Sequence, residues 1–222
     1  MRRRRMLAVL ALAMVIGSSG TAWAILVDFD TLNGGAEGLL PGSATSATVA
    51  GVLAEGFQLP STPKPLWLRN TTNDHGLGVC SEGSASCAQN VGGGDVNEVS
   101  SLTNPEGIRL TLPTGFKWTS LFVSSLDSGG TNSHEKGLLY WSSSSTFNTG
   151  NSHFGFGYGD FGTSVEGNIL SLAAAANFDP TAKYLWFVDD SSNCIGSPSI
   201  GNNDYLVWKG DISAVPEPTT VA

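Results

Sequence analysis

Ile108-Arg109-Leu110-Thr111-Leu112 decides the fold class. Apolar and polar side chains alternate strictly along it, and a period of two marks a strand with one buried face. Ile108, Leu110 and Leu112 are expected to enter a core, with Arg109 and Thr111 facing water. Leu185-Trp186-Phe187-Val188 carries the other strand signature, a continuous apolar run, as expected of a central strand covered on both sides. Outward from these two, short runs with β-branched or aromatic residues recur between turn clusters. They predict further strands at 25–29, 49–53, 56–59, 66–69, 76–79, 96–100, 120–126, 137–141 and 205–212, while the two opening stretches extend to 107–112 and 183–188. Composition agrees: 28 Gly, 10 Pro and only 14% charged residues leave no long helical periodicity. Residues 169–176 (ILSLAAAA), closed by Asn177 and Asp179-Pro180, suit either one short helix or a strand leading into a turn. Many short strands joined by Gly, Ser and Asn turns predict an all-β fold, an antiparallel β-sandwich of jelly-roll type.

The start of the chain reads as a leader. Arg2, Arg3, Arg4 and Arg5 form a positive segment, residues 6–16 (MLAVLALAMVI) an apolar one, and residues 17–24 (GSSGTAWA) a small-residue one. Ala22-Trp23-Ala24 fits the small-x-small rule, so a signal peptide at 1–24 cleaved after Ala24 is expected. The apolar run is shorter than the roughly 20 residues a membrane-spanning helix needs. The whole chain has 11 Lys+Arg against 19 Asp+Glu; without the four leader arginines, 7 basic residues face the same 19 acidic ones, a net charge near −12. Such a surface repels phosphate backbones and disfavours nucleic acid. Residues 25–214 suffice for one exported domain with its own core.

The other end reads Val215-Pro216-Glu217-Pro218-Thr219-Thr220. Each proline fixes φ and removes a backbone donor, so the triplet ends any element before it and presents an extended peptide. This tail, 215–222, resembles the sorting motif of the PEP-CTERM proteins, carried here by Val215, Pro216, Glu217 and Pro218. Those are bacterial exported proteins whose tail is read by a membrane protease-transpeptidase, the exosortase, which the resemblance implies as a partner. In that family a hydrophobic span and a basic cluster follow, whereas this sequence stops at Val221-Ala222. Either it is cut where the anchor begins or the protein is a truncated relative, and membrane contact is expected only through such an anchor.

A second similarity lies mid-chain. Gly76-Leu77-Gly78-Val79-Cys80, then Gly94-Asp95-Val96-Asn97-Glu98-Val99, Glu106-Gly107-Ile108-Arg109-Leu110, Trp118-Thr119-Ser120 and Ser124-Ser125-Leu126-Asp127 follow in an order similar to the exported β-sandwich domain of many PEP-CTERM proteins. It spans roughly 76–139 and implies an extracellular domain from a group with little assigned biochemistry.

Cys80 and Cys87 bracket residues 81–86 (SEGSAS), and an oxidising compartment predicts a disulfide between them. Such a ring would stabilise by roughly 2–3 kcal/mol through the unfolded state. Cys194 is left as a buried thiol or as an alternative partner. No G-x-S-x-G string occurs, and His75, His134 and His153 sit in polar or Gly-rich stretches, so no hydrolytic triad is expected. Glu98, Glu106, Glu135 and Glu166 could in principle pair for glycoside hydrolysis, but spacing alone brings no two of them across a sugar. No enzyme is expected.

Two binding chemistries remain. Calcium takes six to eight oxygens, and Asp95, Asn97 and Glu98 crowd one turn while Asp189, Asp190 and Asn193 crowd another. Calcium is thus the one candidate cofactor, against the plain alternative that Asp and Asn cap turns. Sugar faces use flat rings, and Trp67, Tyr140, Trp141 and Tyr158 are the stacking candidates. Tyr140 and Trp141, adjacent on a strand, must point to opposite faces. Residues 154–159 (FGFGYG) suit a mobile loop with one aromatic side. The expected function is an exported, surface-sorted, non-enzymatic protein of the bacterial envelope or extracellular polysaccharide matrix. The alternative is a calcium-assisted carbohydrate-binding module, with a secreted glycoside hydrolase behind it.

Overall fold

The structure, a computed structural model, describes residues 23–71, 74–80, 98–99, 105–126, 135–162, 164–173, 176–190 and 205–216. Among them, strands numbered along the chain form two antiparallel seven-stranded sheets. Sheet 1 runs β12 (Gly167–Asn168), β9 (Phe116–Ser124), β14 (Leu206–Ala214), β7 (His75–Val79), β6 (Leu66–Asn70) and β2 (Gly38–Leu39), with β1 (Ile25–Asp28) also on β14. Sheet 2 runs β11 (His153–Gly157), β10 (Lys136–Ser142), β13 (Tyr184–Asp189), β8 (Glu106–Thr111), β4 (Val52–Gln58) and β3 (Ser46–Val49), with β5 (Thr62–Pro63) on β4. This is an antiparallel β-sandwich, as the alternating and continuous apolar stretches predict.

The alternation in the deciding stretch holds the sheets together. Ile108, Leu110 and Leu112 of β8 and its exit, with Leu185 and Phe187 of β13, meet Leu66, Leu68, Leu77, Val79, Leu121, Val123 and Val207 from sheet 1 in one core. Each fully buried side chain of this size contributes about 1.5–3 kcal/mol. Gly76, which opens the Gly76–Val79 stretch, has φ +117 and passes so close to β14 that a Cβ would sit 2.4 Å from the Val207 carbonyl oxygen. Only glycine fits there.

Several local expectations need correction. Residues 49–53 are not one strand: Val49 ends β3 and Val52 and Leu53 open β4, with Ala50 and Gly51 between them both at positive φ, the two-residue hairpin turn that suits strand twist. Gly56 lies inside β4 rather than at the start of a strand. β9 begins at Phe116, earlier than expected, and stops at Ser124 because Ser125 turns into the left-handed region. Residues 153–157 are strand β11, not a loop: Phe154 and Phe156 point into the core and the glycines outward. The ILSLAAAA patch gives one helical turn, Leu170–Ala173, entered through Asn168, whose Oδ1 accepts from the N–H groups of Leu170 and Leu121. The strand expected at 96–100 lies outside the described residues except for Glu98 and Val99. Among the described residues no helix is long and apolar enough to cross a membrane.

Candidate functional site

The outer face of sheet 2 is where side chains with chemistry converge. Strand register lines up Glu55, Arg109, Trp186, Tyr140 and His153 in one row across β4, β8, β13, β10 and β11. The adjacent row holds Phe57, Gly107, Val188, Leu138 and Gly155. Phe57, Tyr140, Trp186 and Val188 form a second apolar cluster, apart from the core, with Leu59, Leu138, Phe147 and Tyr184 packed on it. Alternate residues of β13 therefore enter different clusters, and the continuous apolar run is explained because both faces of this strand are covered.

One half of this face is closed. Arg109 does not face water as the alternation suggested; its Nε and Nη2 donate to Glu55 Oε2 at 2.9 and 2.6 Å, and its Nη1 donates to the Ser145 carbonyl at 2.5 Å. Its guanidinium carbon lies 5.1, 5.3 and 5.6 Å from the ring centres of Phe57, Trp186 and Tyr184. That is a cation held by a carboxylate among π faces. The bond to Ser145 ties down the 143–152 loop, and this loop lays Phe147 against Tyr140 and Trp186, with ring centres 5.3 and 5.4 Å apart.

The other half is an open cleft of about 420 Å³. Leu59, Pro60, Leu138, Tyr140, Phe147 and Val188 give it apolar and aromatic walls, and Glu106, Asp189 and Asp190 supply carboxyl groups. Leu59 lies over Gly107, where an added Cβ would meet it at 3.2 Å. Glu106 and Asp190 are only 2% and 5% exposed. The Tyr140 hydroxyl is held above its ordinary ionisation range, first by burial and then by the charge of Asp190. A smaller cavity of about 280 Å³ adjoins, lined by Lys136, Tyr158, Asp160 and Asp190 among others, so Asp190 borders both. The main cleft falls within the roughly 300–1,000 Å³ typical of small-ligand sites, apolar walls with a few placed polar groups.

The sites expected from sequence separate accordingly. Tyr140, Asp189 and Asp190 come together in the cleft, and Tyr158 lies next door. Trp141 turns to the other side, its ring 5.3 Å from Phe178 and 6.1 Å from Phe154. Trp67 is buried in a small cluster with Cys80 and Leu39 and offers no open platform. Glu98 is a buried ion-pair partner: Arg69 Nη1 lies 2.7 Å from its Oε1, which also accepts from Ser125 Oγ at 3.0 Å. Asp95, Asn97, Asn193 and Cys87 lie outside the described residues, as do Cys194, His134 and Glu217 to Ala222. Among the described residues no group of three or more His, Cys, Asp or Glu side chains is placed to hold a metal ion. The sequence reading missed Glu106 as a cleft residue, and missed Phe57 and Phe147 altogether. Phe57 shares a register row with Val188, a signal visible only once strands are paired.

A contrasting cluster occupies sheet 1. Trp208 donates to Asp30 Oδ2 at 2.7 Å, stacks on His75 with ring centres 5.1 Å apart, and carries Lys209 Nζ 3.4 Å above its ring. Burial raises the Asp30 carboxyl above its usual range, against the lowering by Trp208 and His75.

Comparison with known protein families, with curated proteins and with solved structures finds no match to this chain. The cleft's own geometry therefore carries the functional argument.

Proposed function

We propose that this is an exported, surface-displayed, non-enzymatic protein that binds carbohydrate in the sheet 2 cleft. The observation that carries the reading is the pairing of Tyr140 and Phe147 as ring walls with Glu106, Asp189 and Asp190 as acceptors. Sugar rings present apolar C–H faces to aromatic side chains and hydroxyl donors to carboxylates, so both parts of the lining have a use.

The position of the cleft suits display. β8 starts at the cleft with Glu106 and ends at Thr111, and a short turn leads into β9, whose first residue, Phe116, pairs with Ala214. Val215 N–H donates to the Gly115 carbonyl just beyond it. The tail that resembles a sorting motif thus leaves from the pole opposite the cleft, about 17 Å away along β8. A domain tethered by that tail would turn the cleft outward, toward a polysaccharide matrix.

Export rests on the leader-like residues 1–24, and the expected Cys80–Cys87 bridge would suit an oxidising compartment. Recognition by an exosortase-type enzyme rests on the Val215–Pro218 resemblance alone. The test is calorimetric titration of the mature chain with a panel of soluble polysaccharides and oligosaccharides, repeated with Tyr140→Ala. Saturable binding lost in that variant, with near-UV circular dichroism retained, is the expected result; binding indifferent to Tyr140 would sink the reading. Repeating the titration with chelator tests the calcium expectation attached to Asp95 and Asn97.

A further inference from the structure

We propose that the cleft selects acetylated sugars, seating the acetyl methyl group in an aliphatic corner beside Tyr140. This deepens the carbohydrate reading and rests on it.

Rings and acceptors account for a bare pyranose, but they leave a third part of the lining without a use. Leu59, Leu138 and Val188 also face the cleft. Strand register sets Leu138 of β10 directly opposite Val188 of β13. Gly107, paired with Val188 on its other side, carries no side chain; a Cβ there would lie 3.2 Å from Leu59 Cδ2 and 3.2 Å from Val188 Cγ1. The missing side chain lets Leu59 close down beside Val188, and the three aliphatic residues form one corner. Pro60 and Pro105 border the same opening. Glu106, Asp189 and Asp190 already interact with other groups of the fold, so the corner takes its character from the aliphatic side chains.

A pyranose lying against Tyr140 and Phe147 turns its equatorial substituents toward the neighbouring walls. A hydroxyl pressed into the corner would give up water and find no donor or acceptor among those three side chains, a net loss. A methyl group in the same place removes apolar surface from water on both sides of the contact. The substituent that joins such a methyl to an acceptor is an acetyl group. Its carbonyl can accept from the Tyr140 hydroxyl, which burial, and then the charge of Asp190, keeps protonated. Acetyl groups are carried on sugars through nitrogen or through oxygen, and the corner recognises the part these share.

The experiment titrates the mature chain calorimetrically with three trisaccharides matched in β-1,4 linkage: glucose, 2-O-acetylglucose and N-acetylglucosamine. The acetylated trimers are expected to bind at least about tenfold tighter than the glucose trimer, the worth of a buried methyl group together with one hydrogen bond. Tighter binding of only one of them identifies the linkage and still supports the proposal. Val188→Thr keeps the outline of the side chain but puts a hydroxyl in the corner, and it should cut that ratio at least about threefold. A folded Val188→Thr protein with an unchanged ratio overturns the proposal; should the variant fail to fold, the wild-type ratio alone decides. A glucose trimer that binds as tightly as both acetylated ones also overturns it and leaves the carbohydrate reading standing. Binding of none of the three, in a chain whose thermal transition shows it folded, overturns it as well, and the carbohydrate reading falls only if the polysaccharide panel is silent too.

Discussion

The two halves of the outer face of sheet 2 differ in what occupies them. At the Arg109 end, aromatic rings and Glu55 enclose a guanidinium that the chain itself provides. At the Tyr140 end, rings and carboxylates surround an open space of about 420 Å³. Trp186 belongs to both, since its ring lies under Arg109 and against Phe147. The closed half teaches what this surface stabilises, and its cost of construction is met within the fold. In the open half Tyr140 and Phe147 line a cleft instead.

Breaking the shared element should have the largest effect. Trp186→Ala is expected to cost about 3–5 kcal/mol, measured by chemical denaturation, because a fully buried indole leaves a void. It should also abolish cleft binding, since Phe147 and Tyr140 lose the surface they rest on. Next comes the closed half alone. Glu55→Ala strands Arg109 beside apolar rings, but with side chains 16% and 21% exposed the loss should be about 2 kcal/mol rather than the full cost of a buried pair. Arg109→Leu removes the charge together with its need for a partner, and its stability should stay within about 1 kcal/mol of the Glu55→Ala variant or above it. Were Arg109→Leu the more damaging change by far, hydrogen bonding to Ser145 would outweigh the ion pair in holding the loop.

The open half is sharpened by Phe147→Ala, which removes one ring wall from a half-buried loop position. Its stability cost should be near 1 kcal/mol, while ligand affinity falls about tenfold by calorimetry. The smallest effect concerns the sheet 1 cluster. Burial raises the Asp30 carboxyl above its unfolded value of 3.8, so the fold prefers it protonated. That contribution is fully present below the unfolded value and is lost as pH rises through the folded one. Asp30→Asn keeps an acceptor for the Trp208 N–H and removes the titration. The variant should flatten the pH dependence of the melting temperature above pH 4 by an amount worth less than about 1 kcal/mol.

Much of the sandwich was legible because its signals are local. The alternation of Ile108 to Leu112 and the apolar run of Leu185 to Val188 each report a strand's surroundings without knowledge of its partners. The hairpin at Ala50-Gly51 and strand β11 were misread for related reasons. A positive φ at alanine has no sequence signature, and glycines alternating with phenylalanine look like a loop when the glycine face is in fact the open side of a sheet. The cleft was only half legible. Tyr140, Asp189 and Asp190 stood out by residue type, whereas Glu106 meets them only through the β4–β8–β13–β10 pairing. Arg109 looked like a solvated position because alternation reveals which face a residue occupies, not what covers that face. The opposite error befell Trp67 and Glu98, whose residue types suggested binding but whose burial makes them parts of the fold.

The central claim, that the Tyr140 cleft of sheet 2 is where carbohydrate binds, is most directly tested by a crystal structure of the mature chain soaked with an oligosaccharide that binds in the titration. The account predicts one sugar ring against Tyr140 and Phe147 in that cleft. A sugar seated instead on the Trp208 surface of sheet 1, or a saturated soak that leaves the Tyr140 cleft empty, would contradict it.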